Sequence, residues 1–324
     1  MSRIALDAMG GDRAPAEIVA GAVDAVSAGL DVVLVGDESR LGPLVAESGV
    51  EIPVVHAPSV IDMHEDPAQA IRSKRDASIT VAARLVADGE AQGLVSAGST
   101  GAVLAAAAFV IGRIRGVARP AIGSVYPTGQ IVLDSGANLE CRPEHLVQFG
   151  AMGAALASVY LDLESPRVGL LNIGEEPGKG RELEKEAFTL LDKSPLHFIG
   201  NVEGRDLGKH TVDVVVTDGF TGNVLLKGAE GTASMLVSMI SSLLAERPDL
   251  ADAVADLAPT FTELRERIDP ETYGGAHLVG SRGVVVVAHG SSSRIAIANA
   301  LAMAAEGADR GLVGAVTKEI EAIP

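Results

Sequence analysis

The sequence predicts an α/β fold: a largely parallel sheet with helices on both faces. Three observations carry that prediction. Short β-branched runs alternate with longer Ala/Leu-rich segments almost from end to end of the 324 residues. The runs are apolar at successive positions, as strands buried between two helical layers must be. Most of them stop at a polar, glycine-containing turn, where an open α/β sheet hands its chain to a helix.

In order, RIALDA (3–8) is the first strand and runs straight into the turn MGGD. A helix over 15–28 leads to DVVLVG (31–36) and IPVVH (52–56). Residues 67–88 read as one helix, GLVSAG (93–98) as a strand and 101–114 as the next helix. PAIGSVY (120–126) and QIVLDSG (130–136) precede a helix over 143–161. RVGLLNIG (167–174), a helix over 179–191, LHFIGN (196–201) and VDVVVTDG (212–219) continue the alternation. A helix over 220–246, the strand GVVVVAHG (283–290) and a helix over 292–305 complete it. No Pro/Gly/Ser-rich linker interrupts the pattern, so residues 1–324 read as a single α/β unit, whether or not it divides into two lobes.

Composition bounds the chemistry. Lys plus Arg total 26 against 43 Asp plus Glu, a formal net charge of −17. Such a surface repels a phosphate backbone except at a local basic patch, so a nucleic-acid partner is not expected. The single cysteine, Cys141, leaves no intramolecular disulfide and no CxxC site, and the seven histidines form no HExxH, so no metal is expected. The N-terminus lacks the regions of a signal peptide, and the apolar runs fall short of a membrane span. A cytoplasmic protein is expected, unless part of its surface docks onto a membrane.

The glycine turns are more informative. DAMGGD (7–12), SAGSTGA (96–102), DSGAN (134–138), NIGEEPGKG (172–180), GNVEGRD (200–206), DGFTGN (218–223) and AHGSSS (288–293) each end a strand. Read as one edge of the sheet, they make an anion site built from backbone N–H groups and helix N-termini. NIGEEPGKG is not a P-loop, since the spacer is too short and Gly180 follows Lys179 where Ser or Thr belongs. There is no GxGxxG opening the first helix and no serine at a nucleophile elbow. Cys141 reads as an inert, buried thiol rather than an activated one. Acyl or phosphoryl chemistry here is therefore expected to be a direct displacement by a substrate atom.

These motifs in this order resemble the phosphate acyltransferases of bacterial phospholipid synthesis, the PlsX family. The resemblance runs through IALDAMGGD, VSAGSTGA, LDSGANLECRPEHLVQFGAMG, RVGLLNIGEE, FIGNVEGRDL, VVVTDGFTGNVLLK, YGGAHLVG and AHGSSSRIAIANA, about residues 3–300. Three positions depart from the family pattern: Ser99 where Asn is usual, Ser135 where Val is usual and His277 where Pro is usual. The latter two read as tolerated packing changes. The resemblance implies the fold of phosphate acetyltransferases and isocitrate/isopropylmalate-type dehydrogenases. It also implies transfer of a long acyl chain from acyl carrier protein to inorganic phosphate, and a homodimer, with no cofactor. With that activity go contact with the inner face of the membrane and a downstream glycerol-3-phosphate acyltransferase. The chemistry suits the residues: phosphate is already an oxyanion, and a pantetheine thiol of pKa about 8.5 leaves without strong acid help.

Expected site residues follow from that logic and the resemblance together. Asp7, Gly10, Gly11, Thr100, Gly101, Asn138, Asn172, Gly222 and Asn223 are expected around phosphate and the acyl group. Lys179 and Lys227 are the candidate cations, His289 the candidate general acid/base, and Asp218 its partner in proton transfer. Asp7, Asp134 and Asp218 also suit the simpler role of capping the turns they begin. Arg72, Lys74 and Arg75, with Arg113, Arg115 and Arg119, are basic clusters in an acidic chain; the first three are expected to dock the acidic carrier.

A helical hairpin is expected over 232–268, protruding for dimer or membrane contact. Leu236, Met239, Ile240, Leu243 and Leu244 share one face. Leu250, Val254, Leu257, Phe261, Leu264 and Ile268 then repeat as a coiled-coil-like seam. Pro259 is expected to break that seam, with Thr260 and Glu263 as a capping box restarting the helix. Other functions remain open at this point: a phosphate acetyltransferase acting on acetyl-CoA, a non-catalytic anion-binding or scaffold protein and, more remotely, an NAD-linked dehydrogenase.

Overall fold

The computed structural model describes residues 1–323. Its elements are β1 (Arg3–Asp7), α1 (Ala16–Ser27), β2 (Asp31–Gly36), α2 (Glu38–Ser48), β3 (Val54–His56), α3 (Pro67–Ser73), α4 (Ser78–Ala87), β4 (Gly93–Ser96) and α5 (Thr100–Ala106). The chain continues through β5 (Ala121–Val125), β6 (Ile131–Leu133), α6 (Pro143–Leu161), β7 (Val168–Leu171), α7 (Glu182–Asp192), β8 (Phe198–Val202) and β9 (Val214–Val216). It ends with α8 (Gly219–Ala245), α9 (Ala251–Ile268), α10 (Pro270–Tyr273), β10 (Ala276–Val279), β11 (Val284–Val287), α11 (Arg294–Asp309) and α12 (Leu312–Ala322).

Among the described residues, one 11-stranded sheet runs β3-β2-β1-β4-β11-β10-β5-β6-β9-β7-β8. Its two wings are parallel within themselves: β3, β2, β1, β4 and β11 on one side, β6, β9, β7 and β8 on the other. Between them β10 is antiparallel to both β11 and β5, and β5 is antiparallel to β6. Three reversals mean the second wing runs opposite to the first. The glycine turns therefore leave from two opposed edges, which corrects the expectation of a single edge. The strand behind the reversal, β10, is a four-residue AHLV run that the sequence pattern did not single out.

Both faces of the sheet are covered. Ile4 and Leu6 of β1 pack in one buried cluster with Ile18 of α1 and Ile297 of α11, while Ala5 faces another with Ile79 of α4. That is why the strand is apolar at every position. Phe149 of α6 is the largest wholly buried side chain, beneath the second wing. The helix expected over 67–88 divides into α3 and α4, because Lys74 and Ala77 leave helical geometry and Ala77 begins α4 in an extended conformation.

α8 and α9 are 27 and 18 residues long. Leu236, Met239, Ile240 and Leu243 on α8, and Leu257 and Leu264 on α9, are exposed. Leu250, Val254 and Phe261 are partly covered, and the side chain of Ile268 lies outside the described residues. Pro259 does not break α9, which runs unbroken through it. The carbonyl it deprives of a partner belongs to Ala255, an exposed residue, so water can replace the lost bond. No described helix is long and apolar enough to cross a membrane.

Candidate active site

The two wings meet over the face of the central β5–β10 pair, in a cleft of about 680 Å³. Ile122 and Ser124 of β5, Ala276 of β10 and Val287 of β11 form its floor. Thr100 reaches it from the start of α5, and His289, Ser291 and Ser292 from the turn after β11. Ser135 and Gly136 approach from the turn after β6, and Asn223, Lys227 and Glu230 from the second, third and fourth turns of α8. The segment leading out of the hairpin, from Asp269 to Gly275, closes the remaining side with Glu271 and Tyr273.

Ser99 begins α5 without a capping bond from its side chain. The first N–H groups of that helix therefore take no bond from the Ser99 side chain, and Thr100, though not Gly101, lines the cleft. Gly101 also has a packing reason, since a Cβ there would lie 2.7 Å from Pro67 at the start of α3. His289 Nδ1 accepts from Ser291 N–H at 3.3 Å and lies 2.8 Å from Ser291 Oγ. Nδ1 acting as acceptor puts the ring hydrogen of the neutral imidazole on Nε2. Lys227 Nζ is 2.8 Å from Glu230 Oε2, so the cation arrives in the cleft with a counter-ion.

Several expected site residues turn out to build the wall rather than line it. Asp7 is buried, with Oδ2 accepting from Ser96 Oγ at 2.7 Å, and burial pushes its carboxyl above the usual range. Gly10 allows close approach to the turn after β4: a Cβ there would meet Gly98 N at 2.8 Å. Gly11, at φ +111°, lets Asp12 N–H reach Gly290 O at 2.8 Å. These contacts stitch together the turns after β1, β4 and β11.

Asn138 donates both amide hydrogens internally, to Pro120 O at 2.9 Å and Asp134 Oδ2 at 2.8 Å. Gly222 gives its N–H to Asp218 O, so it offers no donor to an anion; a Cβ there would sit 1.9 Å from Asp134 O. Its glycine is required by the contact between α8 and the loop after β6. Asn172 ties its own loop together through Lys179 O at 3.1 Å and Ile173 N at 2.8 Å, and neither Asn172 nor Lys179 lines the cleft.

Asp218 caps α8, accepting from Thr221 N–H at 2.8 Å and Thr221 Oγ1 at 2.9 Å, and pairs with Arg181. Burial works to raise its pKa, but the Thr221 and Arg181 donors outweigh it and hold the carboxyl below the usual range. It is a fixed anion, not a proton shuttle near neutrality. Burial, with Asp134 and Asp218 nearby, pushes the Cys141 thiol up to about 11, which makes it a poor nucleophile.

Asp134 holds the second wall. Its Oδ1 accepts from the N–H groups of Ile122, Gly136 and Ala137, and its Oδ2 from Asn138 N–H and Nδ2–H. Sequence reasoning passed over Ser124, Ser291 and Glu271 as site residues. Their only signals were a hydroxyl inside an apolar run, the second residue after His289 and an acid three residues before a Gly pair. Ser135 is more than a packing change, because its hydroxyl bonds to both Ser124 and Ile122 O.

The profile of the family described as "Fatty acid synthesis protein" matches residues 2–314. A phosphate acyltransferase from Desulforamulus reducens is 47% identical over 99% of this chain and 98% of its own. The chain belongs to the phosphate acyltransferase family. Family membership makes it an acyltransferase of lipid synthesis. A phosphotransacetylase from Staphylococcus aureus shares the fold at a TM-score of 0.59 and 16% identity, over 95% of this chain and 94% of its own. A 4-hydroxythreonine-4-phosphate dehydrogenase from Burkholderia phymatum does so at 0.55 and 16%, over 94% and 98%. The architecture expected from the sequence is thus the one observed, at the level of fold.

Proposed function

We propose that the chain transfers a long-chain acyl group from the thioester of acyl carrier protein to inorganic phosphate. A phosphate oxygen attacks the thioester carbon, the tetrahedral oxyanion collapses, the C–S bond breaks, and acyl phosphate and the carrier thiolate leave. The observation that carries this reading is the cleft. It sets donors from both wings (the start of α5, Asn223, Lys227 and His289) around an apolar floor of Ile122, Ala276 and Val287. Such a site holds an anion against an acyl group and stabilises an oxyanion with fixed donors. Nε2–H of His289 is the donor we assign to the oxyanion or the departing sulfur. The test is release of free thiol from palmitoyl-acyl carrier protein, palmitoyl-CoA and acetyl-CoA, each with and without phosphate. Phosphate-dependent release from the palmitoyl carrier is expected; release from acetyl-CoA alone would make the chain an acetyltransferase.

Carrier docking is assigned to the surface beside α3. Arg72 lies 4.9 Å over the exposed ring of Phe109, and Arg75 is exposed nearby. Lys74 is less available, because its Nζ is held by Glu65 at 2.7 Å and Val60 O at 3.1 Å. Reversing both charges, Arg72→Glu with Arg75→Glu, is expected to raise KM for the carrier substrate about tenfold at low salt, an effect that shrinks as salt is added. Unchanged turnover with the carrier removes the docking assignment.

The exposed apolar faces of α8 and α9 are assigned to a homodimer contact and, at part of their length, to the membrane that receives an insoluble product. Leu257→Glu is expected to stay dimeric in sedimentation and to lose flotation with liposomes. A dimeric variant that still floats places the lipid contact elsewhere.

A further inference from the structure

Two hydroxyls on the floor of the cleft have a geometry of their own. Ser124 and Ser135 are 8% and 5% exposed, both line the cleft, and their Oγ atoms are 2.6 Å apart. A third group fixes the direction of that bond. Ser135 Oγ donates to Ile122 O at 3.0 Å, and a serine hydroxyl has one hydrogen to give. The hydrogen between the two serines therefore belongs to Ser124, with Ser135 as acceptor.

This arrangement can reverse at little cost. Ile122 O also accepts the backbone N–H of Ser135 at 2.9 Å, so it keeps a partner when the Ser135 hydroxyl turns away. Rotation about the two Cβ–Oγ bonds lets Ser135 donate to Ser124 and releases the Ser124 hydrogen toward the cleft. No buried group is stranded in either setting. The setting with the free donor is favoured by a ligand that offers many acceptors. The lining also contains Asp269, Glu271 and Glu230, the last paired with Lys227, so recognition of an anion here gains from neutral donors.

We propose that Ser124 is a phosphate-binding residue whose hydroxyl is made available by Ser135, a proposal that rests on phosphate being the acceptor substrate. Without phosphate the two hydroxyls satisfy each other. With phosphate, Ser124 donates to a phosphate oxygen while Ser135 donates to Ser124. The two serines are then unequal: Ser124 touches the ligand, and Ser135 only positions it. Ser135→Ala removes the partner yet leaves a Ser124 hydroxyl that can still turn to phosphate.

The test is steady-state kinetics in both substrates, with calorimetric titration by inorganic phosphate and a melting curve for each variant. Ser124→Ala is expected to raise KM for phosphate about tenfold, with kcat and KM for the acyl donor within about twofold of the parent. Ser124→Thr, which keeps the hydroxyl, recovers most of that loss. Ser135→Ala is expected to raise KM for phosphate by no more than about threefold. Equal losses in the two alanine variants overturn the proposal. So does an unchanged phosphate KM in Ser124→Ala, or a fall in kcat alone, which assigns Ser124 to the thioester oxyanion instead. Thiol release by the parent enzyme that ignores phosphate defeats the acyl-transfer reading. Calorimetry reads the serine pair separately: about tenfold weaker phosphate binding in Ser124→Ala supports the proposal, and unchanged binding overturns it.

Discussion

Asp134→Ala is expected to destabilise the protein by on the order of 4 kcal/mol, measured by denaturant unfolding. The substitution strands five donors at once: four backbone N–H groups, from Ile122 to Asn138, and the Asn138 amide. Asp134 is 0% exposed, so water does not replace the lost acceptor without the loop opening. Burial pushes the carboxyl above its ordinary value, while the donors of Ala137, Asn138, Ile122 and Gly136 pull it back, so the site depends on all of them. Opening this loop also moves Ser135 and Gly136 in the cleft and loosens the start of α8, where Gly219 would bring a Cβ within 2.8 Å of Asp134 Oδ2. Acyl transfer should fall in parallel. A loss of less than about 1 kcal/mol would show that the loop is held by something else.

The second large effect is a pH dependence that one substitution removes. His277 of β10 is 5% exposed, and neither ring nitrogen has a hydrogen-bond partner among the described residues. The ring packs against Tyr160, with centroids 4.9 Å apart and planes tilted by 36°, and the Tyr160 hydroxyl is spent on Met303 O at 2.9 Å. Burial lowers its pKa from 6.5 to about 4. Between those values the unfolded chain takes up a proton that the folded chain refuses. Stability is therefore present above pH 6.5 and falls as pH drops toward 4, by on the order of 3 kcal/mol from this group. His277→Leu should abolish that slope. It should also gain about 1–2 kcal/mol at neutral pH, because an unpaired polar ring gives way to an apolar side chain of similar size. Unfolding of both proteins across pH 4–7 decides it, and parallel profiles would mean that the imidazole is hydrated in the fold.

These two residues show what was and was not legible in the sequence. The β-branched runs located most strands because burial between helical layers leaves a run apolar at every position, as in Ile4, Ala5 and Leu6. The reversal between the wings was not legible. It depends on which strands pair in space, and β10, flanked by Gly275 and Gly280, has too few residues for a pattern. Pro259 signalled a helix break, yet one missing N–H on an exposed face does not outweigh the rest of α9. Of the residues the family's motifs pointed to, Thr100, Asn223, Lys227 and His289 line the cleft. The motifs did not separate residues that face the cleft from those that spend their donors on the wall. A polar residue at a turn looks the same in sequence whether its hydrogen bonds go inward, as for Asp7, Asn138 and Asn172, or outward. Ser124 is the converse, a residue whose neighbours in sequence are apolar and whose partner, Ser135, is brought close by strand pairing.

The most direct test of the account is a single-turnover reaction of enzyme in excess over palmitoyl-acyl carrier protein, first without phosphate and then with it. The account predicts no thiol and no gain of acyl mass on the protein until phosphate is added, and then acyl phosphate with stoichiometric thiol. Thiol release without phosphate, with a palmitoyl group carried on the enzyme, would contradict it. The hydroxyl to examine would then be that of Ser291, 2.8 Å from Nδ1 of His289.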